Sequence, residues 1–297
     1  MDKLAPIILF VYNRPWHTRQ TIEALQKNEL AKNSEIFIYS DAAKNDLVKK
    51  SVYEVRDYLE TVNGFKKVTI VKREKNFGLA NSIIDGVTKI VNEYEKIIVL
   101  EDDLVTSPYF LKFMNESLEM YKDNLEVASI HGYIYPIDNL PNTFFIKGAD
   151  CWGWSTWKRA WRIFEPDGKK LLVELKDKKL EKEADFNNSS QYTQMLINQI
   201  NGNNNSWAVR WYMSAFLKNM LTLYSGKSYV QNIGNDSSGT HCEYTNQYKV
   251  NLLTHYSLKK INVIEDKISK SKMEIFFNSL KLTFLQRLKQ KIVGFFK

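Results

Sequence analysis

The chain has 297 residues, of which 44% are hydrophobic and 13% aromatic, enough to bury a large core in one big domain or two small ones; a chain disordered throughout is excluded. Its 42 basic and 34 acidic side chains leave a net charge of +8, which favours anionic partners: nucleotides, diphosphates, nucleic acid or an anionic membrane face. The two cysteines, Cys151 and Cys242, have no CxxC spacing and no Cys/His cluster around them. They exclude a disulfide framework and a structural zinc site, and fit a reducing cytoplasm. The apolar run from Pro6 to Tyr12 is too short for a signal peptide, and no stretch approaches the roughly 20 apolar residues of a membrane span.

In chain order, "APIILFVYNRP" reads as a buried strand ending at Tyr12-Asn13-Arg14, followed by a helix in which Ile22 and Leu25 share a face. "SEIFIYSDAAKND" is a strand through Tyr39 with Ser40 and Asp41 at its end, followed by the helix "LVKKSVYEVRDYLETV". "KKVTIVKREKNFGLANSIIDGVTKIVNEY" gives strand, loop and helix again, and "KIIVLEDD" is a fourth strand. Alternation at this spacing predicts an α/β fold with a mostly parallel central sheet flanked by helices. Ligands bind outside the carboxyl ends of the strands in such sheets. The residues closing these strands therefore fall on one edge: Asn13 and Arg14, Asp41, Arg73 and Asn76, and Glu101 to Asp103.

Beyond Asp103 the reading is a helix in "PYFLKFMNESLEMYKDN", a strand in "VASIHGYIY" and an aromatic-dense segment, "FFIKGADCWGWSTWKRAW". An Asn-rich stretch, "NNSSQYTQMLINQINGNNNS", reads as a mobile linker or lid around a short helix. A helix in "WAVRWYMSAFLKNM", short strands in "LTLYSGKSYVQNIG" and a polar loop in "NDSSGTHCE" follow. In the tail, Phe277, Leu280, Phe284, Leu288, Ile292 and Phe295 recur at helical spacing among Lys281, Arg287, Lys289, Lys291 and Lys297. Such a basic amphipathic helix is either an interfacial anchor on an anionic bilayer or a helix that docks its apolar face on the body.

Burying unpaired carboxylates costs several kcal/mol, so the Glu101-Asp102-Asp103 cluster belongs in a solvated crevice or beside a cation. Hard oxygen ligands suit Mg2+ or Mn2+ on a nucleotide diphosphate. No GxGxxG or Walker-type loop occurs, which argues against dinucleotide cofactors and P-loop nucleotides. Nucleic acid is disfavoured as a partner, since positive charge gathers in the tail instead of forming a stripe along the body.

"PIILFVYNRP", "IFIYSDAA", "IIVLEDDLVTSPYFLKF", "GADCWGWSTWKRAW" and "NIGNDSSGTHC", in that order over residues 6 to 242, resemble the GT-A glycosyltransferases, specifically those similar to N-acetylglucosaminyltransferase I and its bacterial relatives in surface-polysaccharide synthesis. The resemblance implies a GT-A domain over residues 1–265, with a nucleotide-sugar-binding half (1–103) and an acceptor half (104–265), and a basic amphipathic C-terminal helix over 266–297. It implies a donor site of Tyr12, Asn13, Arg14, Asp41, Arg73, Asn76, Glu101, Asp102, Trp152, Gly153, Trp154 and Arg210. Arg14 would lie near the nucleotide and Asp41 would recognise base or ribose. Asp103 and His241 would ligate the metal, and Trp152, Gly153 and Trp154 would wall the donor sugar and acceptor. Asp102 is equally suited to capping the next helix, a tryptophan cluster to the core, and Arg210 to a buried pair with an acid.

The implied reaction is glycosyl transfer with inversion, which needs a carboxylate base. The family's base, an acid just before a Trp-containing helix, is replaced here by Asn204, Asn205 and Ser206 before Trp207. Asp236 is the preferred substitute and Asp150 the second; an altered or inactive site is the remaining option. The function expected is therefore metal-dependent transfer from a nucleotide-sugar, UDP-linked by preference, to a surface glycan. The acceptor would be lipid-linked at the inner face of the membrane and the protein cytoplasmic or peripheral. A catalytically silent sugar-nucleotide binding or scaffold protein is the alternative.

Overall fold

The computed structural model describes residues 3–238 and 245–295, with side chains through Lys281. Ten strands are present among the described residues: β1 (Ile7–Val11), β2 (Glu35–Ser40), β3 (Lys67–Lys72), β4 (Lys96–Glu101), β5 (Leu104–Thr106), β6 (Val127–His131), β7 (Thr143–Lys147), β8 (Trp154–Trp157), β9 (Leu221–Ser225) and β10 (Val230–Asn232). The helices are α1 (Pro15–Gln26), α2 (Lys49–Leu59), α3 (Leu79–Tyr94), α4 (Phe110–Met120), α5 (Lys158–Trp161), α6 (Gly168–Asp177), α7 (Glu181–Ala184), α8 (Tyr192–Ile200), α9 (Trp207–Leu217) and α10 (Lys267–Phe295).

Eight strands form one sheet in the order β3-β2-β1-β4-β8-β6-β9-β7. The four strands read from the N-terminal pattern pair in parallel, and only β8 and β7 run against the others. This is the expected GT-A type α/β fold. Wholly apolar strands such as IILFV are buried on both faces because helices cover both sides of a parallel sheet. The unexpected element is β8, which inserts between β4 and β6 and puts Trp154–Trp157 of the aromatic-dense segment into the sheet. A separate ribbon pairs β5, directly after the acids, antiparallel with β10.

The main core runs along the sheet from Ile7 to Trp211. A second cluster under β7 and β9 gathers Phe144, Leu171, Phe186, Leu196 and Tyr212. The Asn-rich stretch contributes α8, anchored there through Leu196. Met273 and Phe277 of α10 are buried in the same cluster, and Phe276 and Leu280 pack against it. The first half of the tail helix therefore docks on the body. The aromatic and basic residues beyond Lys281 lie outside the described side chains. Among the described residues no helix is long and apolar enough to cross a membrane.

Candidate active site

The strand register brings the first and fourth strand ends together: Phe10 pairs with Glu101, so Tyr12 to Arg14 emerge beside the acids. The Arg14 guanidinium donates to both Asp102 and, at 2.8 Å, Asp103. Burial alone would pull this arginine down, but the two aspartates outweigh it and raise it. Burial pushes Glu101 up to about 8, with Asp103 and Asp102 adding to the effect. It also pushes Asp102 up to about 6 against the opposing pull of Arg14. Three carboxylates thus share one arginine, and the surplus negative charge is what a cation would neutralise. The Thr21 hydroxyl holds the Asp102 carbonyl at 2.8 Å, so Asp102 is braced by α1 and Arg14 and does not cap the next helix.

The second and third strand ends are a brace. The Asp41 carboxylate accepts from the Ala42, Phe77 and Gly78 N–H groups, each at 2.9 Å, and from the Asn76 amide at 3.1 Å. A carboxylate offers about four acceptor positions, and all are used in pinning residues 76–78. Asp41 therefore orders a loop and has no acceptor left for a base or ribose, which corrects the role expected for it; Asn76 is likewise spent on Asp41 and the Ala42 carbonyl. Arg73 is packed over the Tyr39 and Phe77 rings at 4.9 and 4.2 Å and pairs with Asp85, so it too supports the edge. Arg56, which the sequence reading passed over, ties this corner by donating to the Arg73 carbonyl at 2.8 Å and to the Ser40 and Asp41 carbonyls. Tyr12 accepts the Lys44 N–H through its hydroxyl at 3.0 Å, joining the first two strand ends. Asn13 lies beside it, half-buried.

The β5–β10 ribbon lays the late loop over the acids. The Ile233 N–H donates to the Asp103 carbonyl at 2.8 Å. Gly234 lies so close that a Cβ there would fall 2.1 Å from an Asp103 carboxylate oxygen and 3.0 Å from Arg14, so only glycine fits. Two residues on, Asp236 meets His17 of α1 at 3.0 Å and accepts from the Ser238 hydroxyl at 2.6 Å. Burial alone would push Asp236 up, but the Ser238 hydroxyl and N–H, with His17, outweigh it and hold it below the ordinary carboxylate range. His17, 5% exposed, is a site residue the sequence reading missed. Its only signal is position, one turn into the helix that leaves the first strand end. His241, expected as a metal ligand, lies outside the described residues.

Asp150 stands on the opposite wall. Its carboxylate accepts the Cys151 N–H at 2.8 Å and lies 4.0 Å from the buried His131 Nε2, which accepts the Trp152 N–H at 3.1 Å. Burial pushes the Cys151 thiol well up, and Asp150, Glu101 and Asp103 all add to this. Because β8 runs antiparallel to β4 with Val99 opposite Trp154, the Asp150–Cys151 turn leaves the sheet at the end where Glu101 to Asp103 stand.

Three expectations in this region are corrected. Trp154 is fully buried in β8, stacked on Trp207 at 5.5 Å and beside Trp161 and Trp211; it is core and does not wall a sugar. Gly153 has φ of +70°, and a Cβ on it would meet Val230 at 2.7 Å, so it serves close packing. Arg210 donates to the carbonyls of Ser206 and Pro166 at 3.1 and 3.0 Å and neither pairs with an acid nor reaches the donor edge. Of the Gly-Trp element, Trp152 alone remains half-exposed, edge-on to Tyr133 at 4.7 Å and Tyr248 at 5.7 Å. Where an acid was expected before Trp207, Ser206 caps α9 by accepting the Val209 N–H at 3.2 Å.

Among the described residues no three His, Cys, Asp or Glu side chains are grouped to enclose a metal by themselves. The donor set nevertheless fits a hard divalent cation, because carboxylate oxygens crowd one edge in excess of their arginine and Mg2+-like ions keep water and phosphate oxygens as ligands. Residues 7–171 match the family model described as "Glycosyl transferase family 2". The chain belongs to glycosyl transferase family 2. No curated protein matches it. Among solved structures, this family member is similar to S. aureus TarS residues 1–349 in complex with UDP: identity is 13%, coverage is 76% of this chain and 59% of that one, and the TM-score is 0.40. It is similar to the mannosyltransferase PcManGT from Pyrobaculum calidifontis in complex with GDP-Man and Mn2+: identity is 13%, coverage is 45% and 36%, and the TM-score is 0.34. It is also similar to a UDP-glucose pyrophosphorylase complexed with UDP-glucose: identity is 12%, coverage is 75% and 90%, and the TM-score is 0.38. The chain thus spans less than two thirds of the length of the first two.

Proposed function

We infer that this family member is a metal-dependent, inverting glycosyltransferase that moves a sugar from a nucleotide-sugar, UDP-linked by preference, to a hydroxyl of a surface-glycan acceptor carried on a lipid. Residues 1–103 supply most of the donor edge, 104–265 the acceptor side together with the late loop that returns Asp236 to the donor edge, and 266–297 reach the inner face of the membrane through the end beyond the docked Met273 and Phe277. In this reading the protein is cytoplasmic and peripheral, and its reaction is of the N-acetylglucosaminyltransferase I kind. The observation that carries the reading is that Glu101, Asp102, Asp103 and Arg14 stand at the end of β4 while the Asp150–Cys151 turn enters the neighbouring strand β8 at that same end of the sheet.

A divalent cation, Mn2+ or Mg2+, held by Asp103 and His241 would supply neutralisation of the departing diphosphate. Arg14 keeps the Asp102 and Asp103 carboxylates in place and adds a fixed positive charge at the nucleotide edge. Asp150, oriented by the Cys151 N–H, takes the acceptor's hydroxyl proton as that oxygen bonds to the anomeric carbon opposite the leaving group, which inverts the centre. Asp150 replaces Asp236 as the preferred base, because the Asp236 carboxylate is engaged by His17 and Ser238 on the nucleotide side.

Purified protein incubated with Mn2+ and a panel of nucleotide-sugars should release nucleoside diphosphate from one donor, and release should stop on chelation. Binding of donors without turnover of any of them would favour the silent scaffold. For the membrane link, a chain ending at Lys281, which keeps the buried Met273 and Phe277, should lose flotation with anionic liposomes; undiminished flotation would remove the anchor.

A further inference from the structure

Two residues beyond Asp150, Trp152 begins a run of aromatic side chains that the mechanism above does not use. Burial raises Tyr133, Tyr135 and Tyr192, and the Asp150 charge adds to each. Trp152, Tyr135, Tyr192 and Tyr248 are half-buried, as is Asp150 itself. The rings of Trp152, Tyr248, Tyr135 and Tyr133 form a continuous run, whereas Tyr192 stacks on Tyr212: Trp152 meets Tyr248 at 5.7 Å, Tyr248 meets Tyr135 at 6.3 Å, and Tyr135 meets Tyr133 at 5.4 Å. The last panel comes from the tail. Phe276 of α10 packs against Tyr135 at 5.2 Å and Tyr248 at 6.4 Å and is itself half-buried. Its neighbour Phe277 is buried and meets Tyr135 edge-on at 5.0 Å.

A half-exposed carboxylate among half-exposed aromatic faces suits a pyranose ring, whose C–H face stacks on an aromatic while its hydroxyls donate to the acid and to tyrosine hydroxyls. We propose that Trp152, Tyr135, Tyr248 and Phe276 form, with Asp150, the subsite for the terminal sugar of the acceptor, and that the C-terminal helix completes it. This rests on the transfer reaction proposed above and adds to it a ligand class and a second task for α10. The same helix that leads toward the basic end of the chain also closes the sugar site, so tail docking and acceptor binding are linked.

Saturation-transfer NMR with a panel of methyl hexopyranosides and methyl N-acetylhexosaminides tests this without a donor. At least one glycoside should receive saturation at its ring protons. Trp152→Ala and Phe276→Leu should each weaken its affinity by roughly three- to tenfold, the contribution of one ring contact. Phe276→Leu keeps the apolar packing of α10, and its thermal unfolding midpoint checks that the fold survives. Ile275→Ala, on the exposed side of the same helix at 67% exposure, should change nothing. Asp103→Asn should keep glycoside binding while losing Mn2+-dependent UDP binding, so failure of the donor reading and failure of this subsite are separately visible. Absence of saturation in the wild-type protein for every glycoside, or wild-type affinity in both Phe276→Leu and Trp152→Ala, would overturn the proposal.

Discussion

On the nucleotide side of the crevice, Glu101, Asp102 and Asp103 crowd around a single Arg14, whereas on the facing wall one carboxylate, Asp150, lies two residues before Trp152, whose ring meets Tyr133 and Tyr248. The first arrangement carries surplus negative charge and calls for a cation. The second has one acid in apolar surroundings and suits a neutral sugar whose hydroxyl gives up a proton. The proposed function follows this contrast, with the donor at the first wall and the acceptor at the second. It also predicts which substitutions should affect binding of the donor and which the chemistry at the acceptor.

The largest expected effect is on the facing wall. Asp150→Asn should lower kcat by roughly 10²- to 10⁴-fold, the usual contribution of a general base, with the donor KM little changed. Asp236→Asn should act mainly on the donor KM, since that residue bonds His17 beside the acids. Steady-state kinetics with varied donor would reveal a reversal of these two patterns. On the nucleotide wall, Arg14→Gln leaves Asp102 and Asp103 uncompensated in a largely buried setting and should cost about 3–5 kcal/mol, read by chemical denaturation. Two neighbouring tryptophans provide a comparison of stability against function: Trp154→Ala should cost about 3–5 kcal/mol as a core truncation. Trp152→Ala, half-exposed, should cost far less and instead weaken sugar binding.

How much of this could be read from the sequence follows from which contacts are local. The four parallel strands and their shared polar edge were legible because apolar runs alternate with helical spacing. The separation of Trp152 from Trp154 was not. Residues two apart share a face of a regular strand, but Gly153, at φ +70°, breaks the regularity, leaving one tryptophan at the site and sending the other into the core. Asp41 looked like an open recognition acid because three of the four N–H donors that saturate it come from residues 76–78, far along the chain. His17 looked like one polar position on a helix until the late loop brought Asp236 to it. The docking of Phe277 could not be separated from membrane insertion by periodicity, since both use the same apolar face.

A smaller effect is the pH dependence of stability without metal. Glu101 is raised from the ordinary 4.5 to about 8, first by burial and then by Asp103 and Asp102. Below the unfolded value both states hold the proton and nothing is lost. Between about 4.5 and 8 the unfolded chain releases its proton first, so stability should fall as pH rises and the loss should be complete above about 8. In chelator, the melting temperature should decline across that window. Glu101→Gln should flatten the decline, and added Mn2+ should oppose it.

The most direct measurement of the central claim is calorimetric titration of UDP into wild-type protein and into Asp103→Asn, each with Mn2+ and with chelator. The wild-type protein should bind UDP only with the metal, and Asp103→Asn, still folded, should lose that metal-dependent increment. Equal Mn2+-dependent binding by the two proteins would contradict a cation site at the end of β4.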